Sequence, residues 1–525
     1  MRVVVAEPFS ETGLAVLREH GVDVVECHNA SRETLRKALA GADGLIVRSQ
    51  TIVDRELLAA APQLAVVARA GAGVDTIDVA AATEAGIVVL NTPGANTLAA
   101  VELTFGLMLA AFRNIPAAAQ ETRAGTWERK RFEGRELAGK TLGLVGLGRI
   151  GSAVAARAKA FEMRVVAHDP FFAPGRAEAL DLKLVGLHEL LQRADVVSLH
   201  VPLTTQTAGL LDAARLALMK PTAWLVNASR GVIVDENALL QALDDGTIAG
   251  AALDVLSEEP PRDASSASRL VRHPKTLVTP HLGGSTVEAQ ERIATELARE
   301  MVAVLEGGPA AGAVNAPSGG AGSEDLKPFV EVAHLLGRAY PQLVAGGSFA
   351  NFALVTQGAI AAFDPAPLVA SFLTGLLQAT TDRRVSIVNA LAIAEELGIA
   401  VNAFGEPRHG MLASSVRVTC GGRSLGGTVG RAGEARLSEV DGLAVDAILE
   451  GTLIFTRHHD VPGVIGRVGT ILGEADVNIS GMQVSRADEG GDAAMILSID
   501  RPADGATLDR LRGLKGLHDV RVVTI

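Results

Sequence analysis

The chain has 525 residues, 48% of them hydrophobic and only 3% aromatic, with 48 Lys and Arg against 60 Asp and Glu. This length predicts three or four domains, and the formal net charge of −12 argues against a nucleic-acid-binding surface. The uncharged apolar stretches are too short to cross a bilayer and the first residues carry no secretory cleavage signal, so we expect a cytoplasmic protein that binds no membrane. The two cysteines, Cys27 and Cys420, lack metal-ligand spacing, and neither a disulfide nor a metal site is predicted.

The first 95 residues alternate short apolar runs with amphipathic segments, a pattern typical of a parallel βα sheet. Its predicted strands are 3–6, 22–26, 44–47, 65–68 and 87–90. A helical segment over 97–123 leads into a second set of strands and helices that continues to about residue 279. Ser285 and Glu288 have the spacing of a capping box, at the start of a helix long enough to return to the first sheet. We therefore predict a discontinuous first domain and a cleft between the two sheets.

A glycine motif opens the second set of strands. Residues 142–151, Leu-Gly-Leu-Val-Gly-Leu-Gly-Arg-Ile-Gly, predict a strand, a tight turn and a helix, and the next strand ends in Asp169. Gly146 permits the turn, Gly148 lets the backbone approach a pyrophosphate, and Gly151 lets the helix pack on the strand. The helix N-terminus favours the phosphate anion. Because Asp169 can accept hydrogen bonds from a ribose diol and repel a 2′-phosphate, the pattern predicts NAD rather than NADP.

Three later segments bring charged side chains to the carboxyl ends of predicted strands, where ligands bind in such sheets. These side chains are Arg230, Glu259 and His281. Each has an ordinary alternative: a surface ion pair for Arg230, a solvated acid for Glu259 and a buried core histidine for His281. Because all three converge on one sheet edge, we predict that His281 transfers a proton while Glu259 holds its ring and Arg230 orients an anionic substrate.

The C-terminal part begins with a segment rich in Gly, Ala, Pro and Ser, 307–327, which is typical of a linker. A mixed α/β region follows, and the chain ends in a compact βαββαβ unit. The predicted fold class is α/β, with two Rossmann-like doubly wound parallel-sheet domains, a mixed α/β regulatory domain and a C-terminal βαββαβ domain. The predicted limits are 1–96 with 286–314 for the substrate domain, 97–285 for the NAD domain, 316–451 for the intervening domain and 452–525 for the last domain.

These motifs resemble those of the D-isomer-specific 2-hydroxyacid dehydrogenase family, and the whole chain is similar to its long phosphoglycerate dehydrogenases. The resemblance implies NAD-dependent oxidation of 3-phospho-D-glycerate to 3-phosphooxypyruvate, the first step of phosphorylated serine biosynthesis, and it leaves a side activity on 2-oxoglutarate open. It assigns catalysis to Arg230, Glu259 and His281. The residues implied to bind NAD are Gly146, Gly148, Arg149, Ile150, Gly151, Asp169, His200, Val201, Pro202, Ala228, Ser229, Arg230, Asp254, His281, Gly283 and Gly284.

The same resemblance places the substrate's carboxylate and phosphate on loops of the first domain. The residues implied to bind the substrate are Arg48, Ser49, Gly71, Gly73, Asn96, Arg230 and His281. Arg69 stays open between a pocket residue and a structural ion pair. The basic cluster 129–131 is either a solvated loop or, by resemblance, an arm that reaches across a dimer contact.

The last 74 residues resemble an ACT domain, a module that senses small molecules. The resemblance implies serine as a feedback effector, bound by His458, Asp460 and Asn478, and a homo-oligomer that dimerises through the NAD domain and forms a tetramer through the C-terminal domains. One alternative is a glyoxylate or hydroxypyruvate reductase, but such enzymes generally lack the C-terminal modules. The other, a non-enzymatic NAD-sensing regulatory protein, is disfavoured because all three candidate catalytic residues are present.

Overall fold

The computed structural model describes residues 1–306, 312–317, 323–344, 349–407, 413–486 and 491–525. Its first sheet has five parallel strands in the order β2-β1-β3-β4-β5. The strands are β1 Arg2–Val5, β2 Asp23–Glu26, β3 Gly44–Val47, β4 Val66–Arg69 and β5 Val88–Asn91. The helices that cover this sheet are Glu11–Glu19, Arg32–Leu39, Arg55–Ala59, Val79–Glu84 and Val287–Leu305.

The helix Val287–Leu305 follows the second sheet in sequence but packs against the first. Its residues Ile293, Leu297 and Met301 are buried in one cluster with Leu14 and Leu17. The helix begins differently from the prediction, because Thr286, and not Ser285, is the N-cap residue whose side chain accepts the Ala289 N–H. A threonine hydroxyl can accept this N–H, although serine is the more favoured N-cap residue.

The second sheet has seven parallel strands in the order β12-β11-β10-β9-β6-β7-β8. The strands are β6 Thr141–Val145, β7 Arg164–His168, β8 Lys183–Leu184, β9 Val196–Leu199, β10 Trp224–Asn227, β11 Gly250–Leu253 and β12 Thr276–Val278. The helices are Thr97–Phe112, Ile115–Arg123, Arg149–Ala160, Pro174–Ala179, Leu187–Arg193, Ala213–Leu216, Glu236–Asp244 and Ser266–Arg272, with short 3-10 turns at Lys130–Phe132 and Gly231–Ile233. The strand order reverses between β6 and β9, which is where such sheets bind ligands.

The predicted helical segment 97–123 is two helices, Thr97–Phe112 and Ile115–Arg123, bent by 63°. Asn114 between them has a φ of 52°, a left-handed conformation that ends the first helix and that Asn tolerates better than most residues. Among the described residues no single helix is long and apolar enough to cross a membrane. This bent pair reaches that length and composition only when its two helices are counted together.

The third sheet has six strands in the order β14-β13-β15-β16-β17-β18, parallel between β13 and β14 and antiparallel elsewhere. They are β13 Asn351–Gly358, β14 Ala400–Glu406, β15 Ser414–Cys420, β16 Arg423–Val429, β17 Ala435–Val440 and β18 Leu443–Ile448. The accompanying helices are Lys327–Leu343, Ala366–Gln378 and Ala390–Glu396, with 3-10 turns at Ser323–Leu326 and Ala359–Ala362.

The fourth sheet is antiparallel, in the order β20-β21-β19-β22. Its strands are β19 Thr452–His459, β20 Ile479–Arg486, β21 Asp492–Ile499 and β22 Leu517–Thr524, and its helices are Val464–Glu474 and Gly505–Arg512. One face of this sheet packs on these helices, and the other, with Leu453, Phe455 and Ile496, joins the core of the third sheet's domain. The predicted fold class, including the βαββαβ end, is confirmed.

Part of the predicted linker is docked on the first sheet; residues 307–311 and 318–322 of it lie outside the described residues. The Val314 N–H donates to the Val89 carbonyl at 2.7 Å. The Asn315 side chain accepts the Val89 N–H at 2.9 Å and donates to the Ile87 carbonyl at 3.0 Å. The described stretch 312–317 therefore lies along the edge strand β5.

The segment 383–389 holds the third sheet's domain against the first. The Arg384 guanidinium donates to the carbonyls of Pro62 at 2.9 Å and Leu64 at 2.6 Å, just before β4. Val388 is buried in the core of the first domain, and Ile387 packs against it. Burial lowers the pKa of Arg384, although the group stays charged. This segment is thus a contact between the two domains.

We expect Arg384→Ala to loosen this contact, because it removes two charge-assisted hydrogen bonds. The loss should lower the first calorimetric unfolding transition by roughly 2–8 °C. Arg383→Ala is the matched control, since Arg383 makes an exposed ion pair with Glu396 at 2.6 Å, a type of contact worth at most about 1 kcal/mol. Equal shifts in the two variants would contradict the interface role.

Candidate active site

A cavity of about 750 Å³ lies between the first two sheets, at the carboxyl ends of their strands. Both domains contribute to its walls. The residues lining it include Arg48, Ser49, Arg69, Gly71, Gly73, Asn96, Arg230, Asp254, Glu259, His281 and Gly284. The structure therefore brings all seven predicted substrate residues, together with the predicted catalytic residues, to one cavity.

His281 and Glu259 form a hydrogen-bonded pair at the cavity wall. The His281 Nδ1 lies 2.6 Å from the Glu259 Oε2, and the Glu259 Oε1 accepts the Leu256 N–H at 2.9 Å. Burial alone would raise the pKa of Glu259, but these two hydrogen bonds outweigh it and the pKa is lowered. The carboxylate is therefore ionised at neutral pH, and its support for a charged imidazole is lost only as the pH falls below the ordinary range of a carboxyl group. With Nδ1 engaged, Nε2 is the nitrogen that can meet a substrate proton.

Arg230 reaches from the end of β10 to the first domain. Its Nε lies 3.0 Å from the Asp75 Oδ2, and its Nη1 donates to the Ser229 carbonyl at 2.7 Å. A Cβ atom on Gly73 would lie 1.9 Å from the Arg230 Nη2, so a side chain there would displace the end of the guanidinium from this position. The buried Asn227 side chain donates to the Arg230 carbonyl at 3.0 Å and shapes the loop.

Sequence reasoning missed Asp75 and Asn227. Asp75 lies two residues after Gly73 in a loop already assigned to the cleft, and Asn227 is a polar residue at the end of an apolar strand. Both signals were present, but neither residue type alone indicates that it holds an arginine. Arg69, left open by the sequence, lines the cavity and donates from Nε to the Arg48 carbonyl at 3.0 Å. Burial and the neighbouring Arg230 lower the Arg69 pKa.

The glycine turn after β6 has the geometry that a dinucleotide requires. Gly146 has a φ of 97°, and a Cβ there would lie 2.5 Å from the His200 carbonyl oxygen. A Cβ on Gly151 would lie 2.1 Å from the Gly146 carbonyl oxygen, so the helix can pack on the strand only through glycine. Gly148 faces open space and precedes the helix Arg149–Ala160, whose first N–H groups can receive a phosphate. The residues present therefore fit NAD.

Asp169 lies beside this turn, at the end of β7. Its Oδ2 accepts the Leu147 N–H at 2.8 Å and its Oδ1 accepts the Phe171 N–H at 2.9 Å. Each carboxylate oxygen can accept a further hydrogen bond. Asp169 therefore supports the turn and keeps acceptor capacity, which the predicted contact with a ribose requires.

The other predicted NAD residues lie around the same sheet edge. His200 has its Nε2 2.9 Å from the Ser198 Oγ, and burial lowers its pKa to about 4, so the ring is neutral at pH 7. Val201 and Pro202 follow it, and Ala228 and Ser229 follow β10.

Asp254, one of these NAD residues, is buried and holds the loop that carries His281. Its carboxylate accepts the Thr279 hydroxyl at 2.6 Å, the Leu282 N–H at 2.7 Å and the Gly283 N–H at 2.8 Å. Asp254 therefore orders the loop of His281 as well as lining the cavity.

The structure does not bring the three predicted effector residues together within one chain. His458 and Asp460 lie at the end of β19, where Arg486 pairs with Asp460 at 3.0 Å. Asn478 precedes β20 and donates to Asp500 at 2.8 Å. Because β19 and β20 are both antiparallel to β21, they run in the same direction, and these residues lie roughly 25–30 Å apart at opposite sheet ends. A joint site requires two chains.

The basic cluster 129–131 lies at the exposed 3-10 turn Lys130–Phe132, close in sequence to Trp127, which is 76% exposed. Arg131 makes an ion pair with Glu121 at 2.7 Å. Both alternatives, a solvated loop and an arm toward a second chain, fit this placement.

Three family models match successive parts of the chain. They are the NAD-binding domain of D-isomer-specific 2-hydroxyacid dehydrogenases over 105–283, the intervening domain of D-3-phosphoglycerate dehydrogenase over 325–441 and the ACT domain over 452–516. A D-3-phosphoglycerate dehydrogenase from Synechocystis is 40% identical over 100% of this chain and 95% of its own length. The chain belongs to the D-3-phosphoglycerate dehydrogenase family. The predictions of this family, of an oxidoreductase and of NAD as cofactor are confirmed.

Solved structures match the dehydrogenase part of the family. A protein from Thermus thermophilus is 41% identical with a TM-score of 0.56, over 60% of this chain and 100% of its own. A D-lactate dehydrogenase from Aquifex aeolicus, solved with NAD and lactic acid, is 25% identical with a TM-score of 0.54, over 61% of this chain and 100% of its own.

We expect Asp169→Ala to raise the KM for NAD and to narrow the preference for NAD over NADP, because it removes both the ribose acceptor and the repulsion of a 2′-phosphate. Initial rates with the two cofactors measure the ratio. Asp245→Ala is the control, because Asp245 is an exposed acid of the same domain bonded to Gln241 at 2.8 Å. An unchanged cofactor ratio in Asp169→Ala would assign the ribose to another residue.

Proposed function

We propose that this protein oxidises 3-phospho-D-glycerate at C2 to 3-phosphooxypyruvate, using His281 as the base, Glu259 as its partner and Arg230 as the carboxylate-binding group. The observation that carries the proposal is the His281–Glu259 hydrogen bond of 2.6 Å in the same cavity as Arg230. The relative from Synechocystis named D-3-phosphoglycerate dehydrogenase supports the choice of substrate. A cytoplasmic location, expected from the sequence, belongs to the same proposal.

The charges in the cavity suit a substrate with two anionic groups. Arg48, Arg69 and Arg230 all line it. A guanidinium binds a carboxylate or a phosphate with two parallel hydrogen bonds, so three of them can hold both ends of a phosphorylated acid. The overall net charge of −12 makes this local cluster the feature that attracts the anion.

In the proposed reaction, the turn of Gly146, Gly148 and Gly151 would hold NAD, which would supply the acceptor for the hydride leaving C2. The neutral His281 takes the hydroxyl proton on Nε2, and the ionised Glu259 stabilises the imidazolium that results. Arg230 orients the substrate carboxylate and polarises the carbonyl oxygen as it forms. Asp75 and Ser229 fix two nitrogens of the guanidinium, so the arginine meets the substrate in one orientation.

The test of this function is NADH formation with 3-phosphoglycerate, D-glycerate, D-lactate and glycolate. We expect 3-phosphoglycerate to have the highest kcat/KM, and His281→Ala to lower its kcat by roughly 10²- to 10⁴-fold, the range for a lost general base. NADH affinity, followed by fluorescence, is the control and should not change. Near-normal turnover in His281→Ala would exclude this residue as the base, and preference for glycolate would favour a glyoxylate reductase.

We further propose that the ACT domain binds an amino acid, namely serine, between two chains. Asp460 and Asn478 lie at opposite ends of the sheet, which supports this proposal. A single site would then take Asp460 from one chain and Asn478 from a second chain. Asp460 can accept from the ligand's ammonium and Asn478 can pair with its carboxylate. We also propose a homo-oligomer that dimerises through the NAD domain and forms a tetramer through the C-terminal domains.

Asp460→Ala and Asn478→Ala should each raise the serine concentration for half-inhibition by about tenfold or more, because a polar group of the bound ligand loses its partner. Turnover measured without serine is the internal control. Asp509→Ala is the matched variant, since Asp509 pairs with Arg512 on an exposed helix of the same domain. Variants that keep full serine sensitivity would refute the site.

A further inference from the structure

Glu7 is a buried acid of the first domain to which the reaction gives no role. It follows β1 and is 7% exposed. Its Oε1 accepts the N–H groups of Arg48 at 2.9 Å, Gln50 at 3.2 Å and Thr51 at 2.9 Å. Its Oε2 accepts those of Ser49 at 3.1 Å and Gln50 at 3.2 Å. One carboxylate thus holds four successive N–H groups of the loop 48–51, as an anion fills a backbone nest.

This loop forms one wall of the active-site cavity, to which Arg48, Ser49 and Gln50 contribute. The Arg48 side chain is held at the same corner, because its Nη1 donates to the Pro8 carbonyl at 3.0 Å. The Arg48 carbonyl in turn accepts from the Arg69 Nε at 3.0 Å. The positions of two cavity arginines, Arg48 and Arg69, therefore depend on a loop whose N–H groups donate to the Glu7 carboxylate.

We propose that Glu7 is a positioning residue that sets the substrate specificity of this enzyme, by holding the loop 48–51 in the shape that receives the phosphate end of the substrate. The inference rests on the proposed function. His281 and Arg230 lie at the ends of second-domain strands and take the reacting carbon and the carboxylate, so the far end of the substrate meets the loop on the opposite wall. Glu7 itself contacts backbone, not substrate.

The chemistry at position 7 requires a carboxylate and not merely a polar side chain. Two carboxylate oxygens accept five hydrogen bonds from four donors. An amide offers one oxygen, and its NH2 group would face N–H donors with nothing to accept from it. Burial alone would raise the pKa of Glu7, but the N–H groups of Arg48, Thr51 and Gln50 outweigh it, so the pKa is lowered and the acid is ionised at neutral pH.

The experiment compares 3-phosphoglycerate with D-glycerate, which carries a hydroxyl in place of the phosphate. In Glu7→Gln we expect the KM for 3-phosphoglycerate to rise about tenfold or more, the loss expected when a charge-assisted hydrogen bond is removed from a binding loop. The KM for D-glycerate and the NADH affinity should change by about twofold or less. The ratio of kcat/KM for the two substrates therefore falls about tenfold. A purely structural defect would lower kcat/KM for 3-phosphoglycerate and for D-glycerate together, and their ratio would not change.

Asp43→Asn is the matched control. The Asp43 carboxylate accepts the Arg2 N–H at 2.7 Å, between the same two strands β1 and β3 but at their opposite ends. This variant neutralises another carboxylate that accepts a backbone N–H, away from the cavity, so the ratio of kcat/KM for the two substrates should match that of the unmodified chain. Thr51→Val is a milder variant, which removes the hydroxyl that helps to lower the pKa of Glu7 and should lower the ratio by about twofold to threefold.

An equal loss on both substrates, or an unchanged ratio, in Glu7→Gln would overturn the inference. If Glu7→Gln does not fold, Thr51→Val is the test. An unchanged kcat/KM ratio of the two substrates in Thr51→Val would also overturn the inference. The unmodified chain separates this inference from the proposed function. If it does not oxidise 3-phosphoglycerate, the proposed function fails, whereas an active enzyme whose Glu7 variant keeps its preference contradicts only the role of Glu7.

Discussion

The ion pair between Arg230 and Asp75 is the contact on which the site depends, because it joins the two domains that form the cavity. The two atoms lie 3.0 Å apart, with the arginine 28% and the aspartate 48% exposed. At that exposure the pair adds at most about 1 kcal/mol to stability. Its importance is geometric, since it fixes the guanidinium beside the His281–Glu259 pair. Gly73 serves the same geometry, because a side chain there would displace the Arg230 Nη2 from its present position.

Each acid near the cavity holds a different part of the site. Glu259 holds the ring of His281, Asp254 holds the loop that carries it, Asp75 holds Arg230 and Glu7 holds the loop of Arg48. None of these acids needs to contact the reacting atoms to be necessary. Acids around a cavity that binds anions would be expected to repel the substrate. Here each of these carboxylates already accepts a hydrogen bond from a donor of the protein, which reduces that repulsion.

Local sequence predicted the parts of the site that a single segment specifies. The glycine turn, Asp169 and the three strand-end residues each follow from the element that carries them, and the order of elements predicted the fold. Asp75 and Glu7 were not predicted, because their partners lie 155 and about 41 residues away and only the packed sheets bring them together. The break at Asn114 and the cap at Thr286 were missed for a smaller reason, since several neighbouring residue types satisfy the same local requirement.

The regulatory part of the chain is joined to the catalytic part by packing and not only by sequence. One face of the ACT sheet is buried in the core of the third sheet's domain. That domain contacts the first domain through Arg384, which donates to the carbonyls of Pro62 and Leu64 just before β4. The residues Val66, Val67 and Ala68 of β4 are fully buried, and the strand ends at Arg69 in the cavity wall. Because a close-packed strand moves as a unit, a shift of the third domain against Pro62 and Leu64 must be accommodated at Arg69 or at the Arg384 contact itself. The loop 48–51 bonds directly to Arg69, so the wall that we assign to the substrate's phosphate is also the wall that the third sheet's domain contacts through β4.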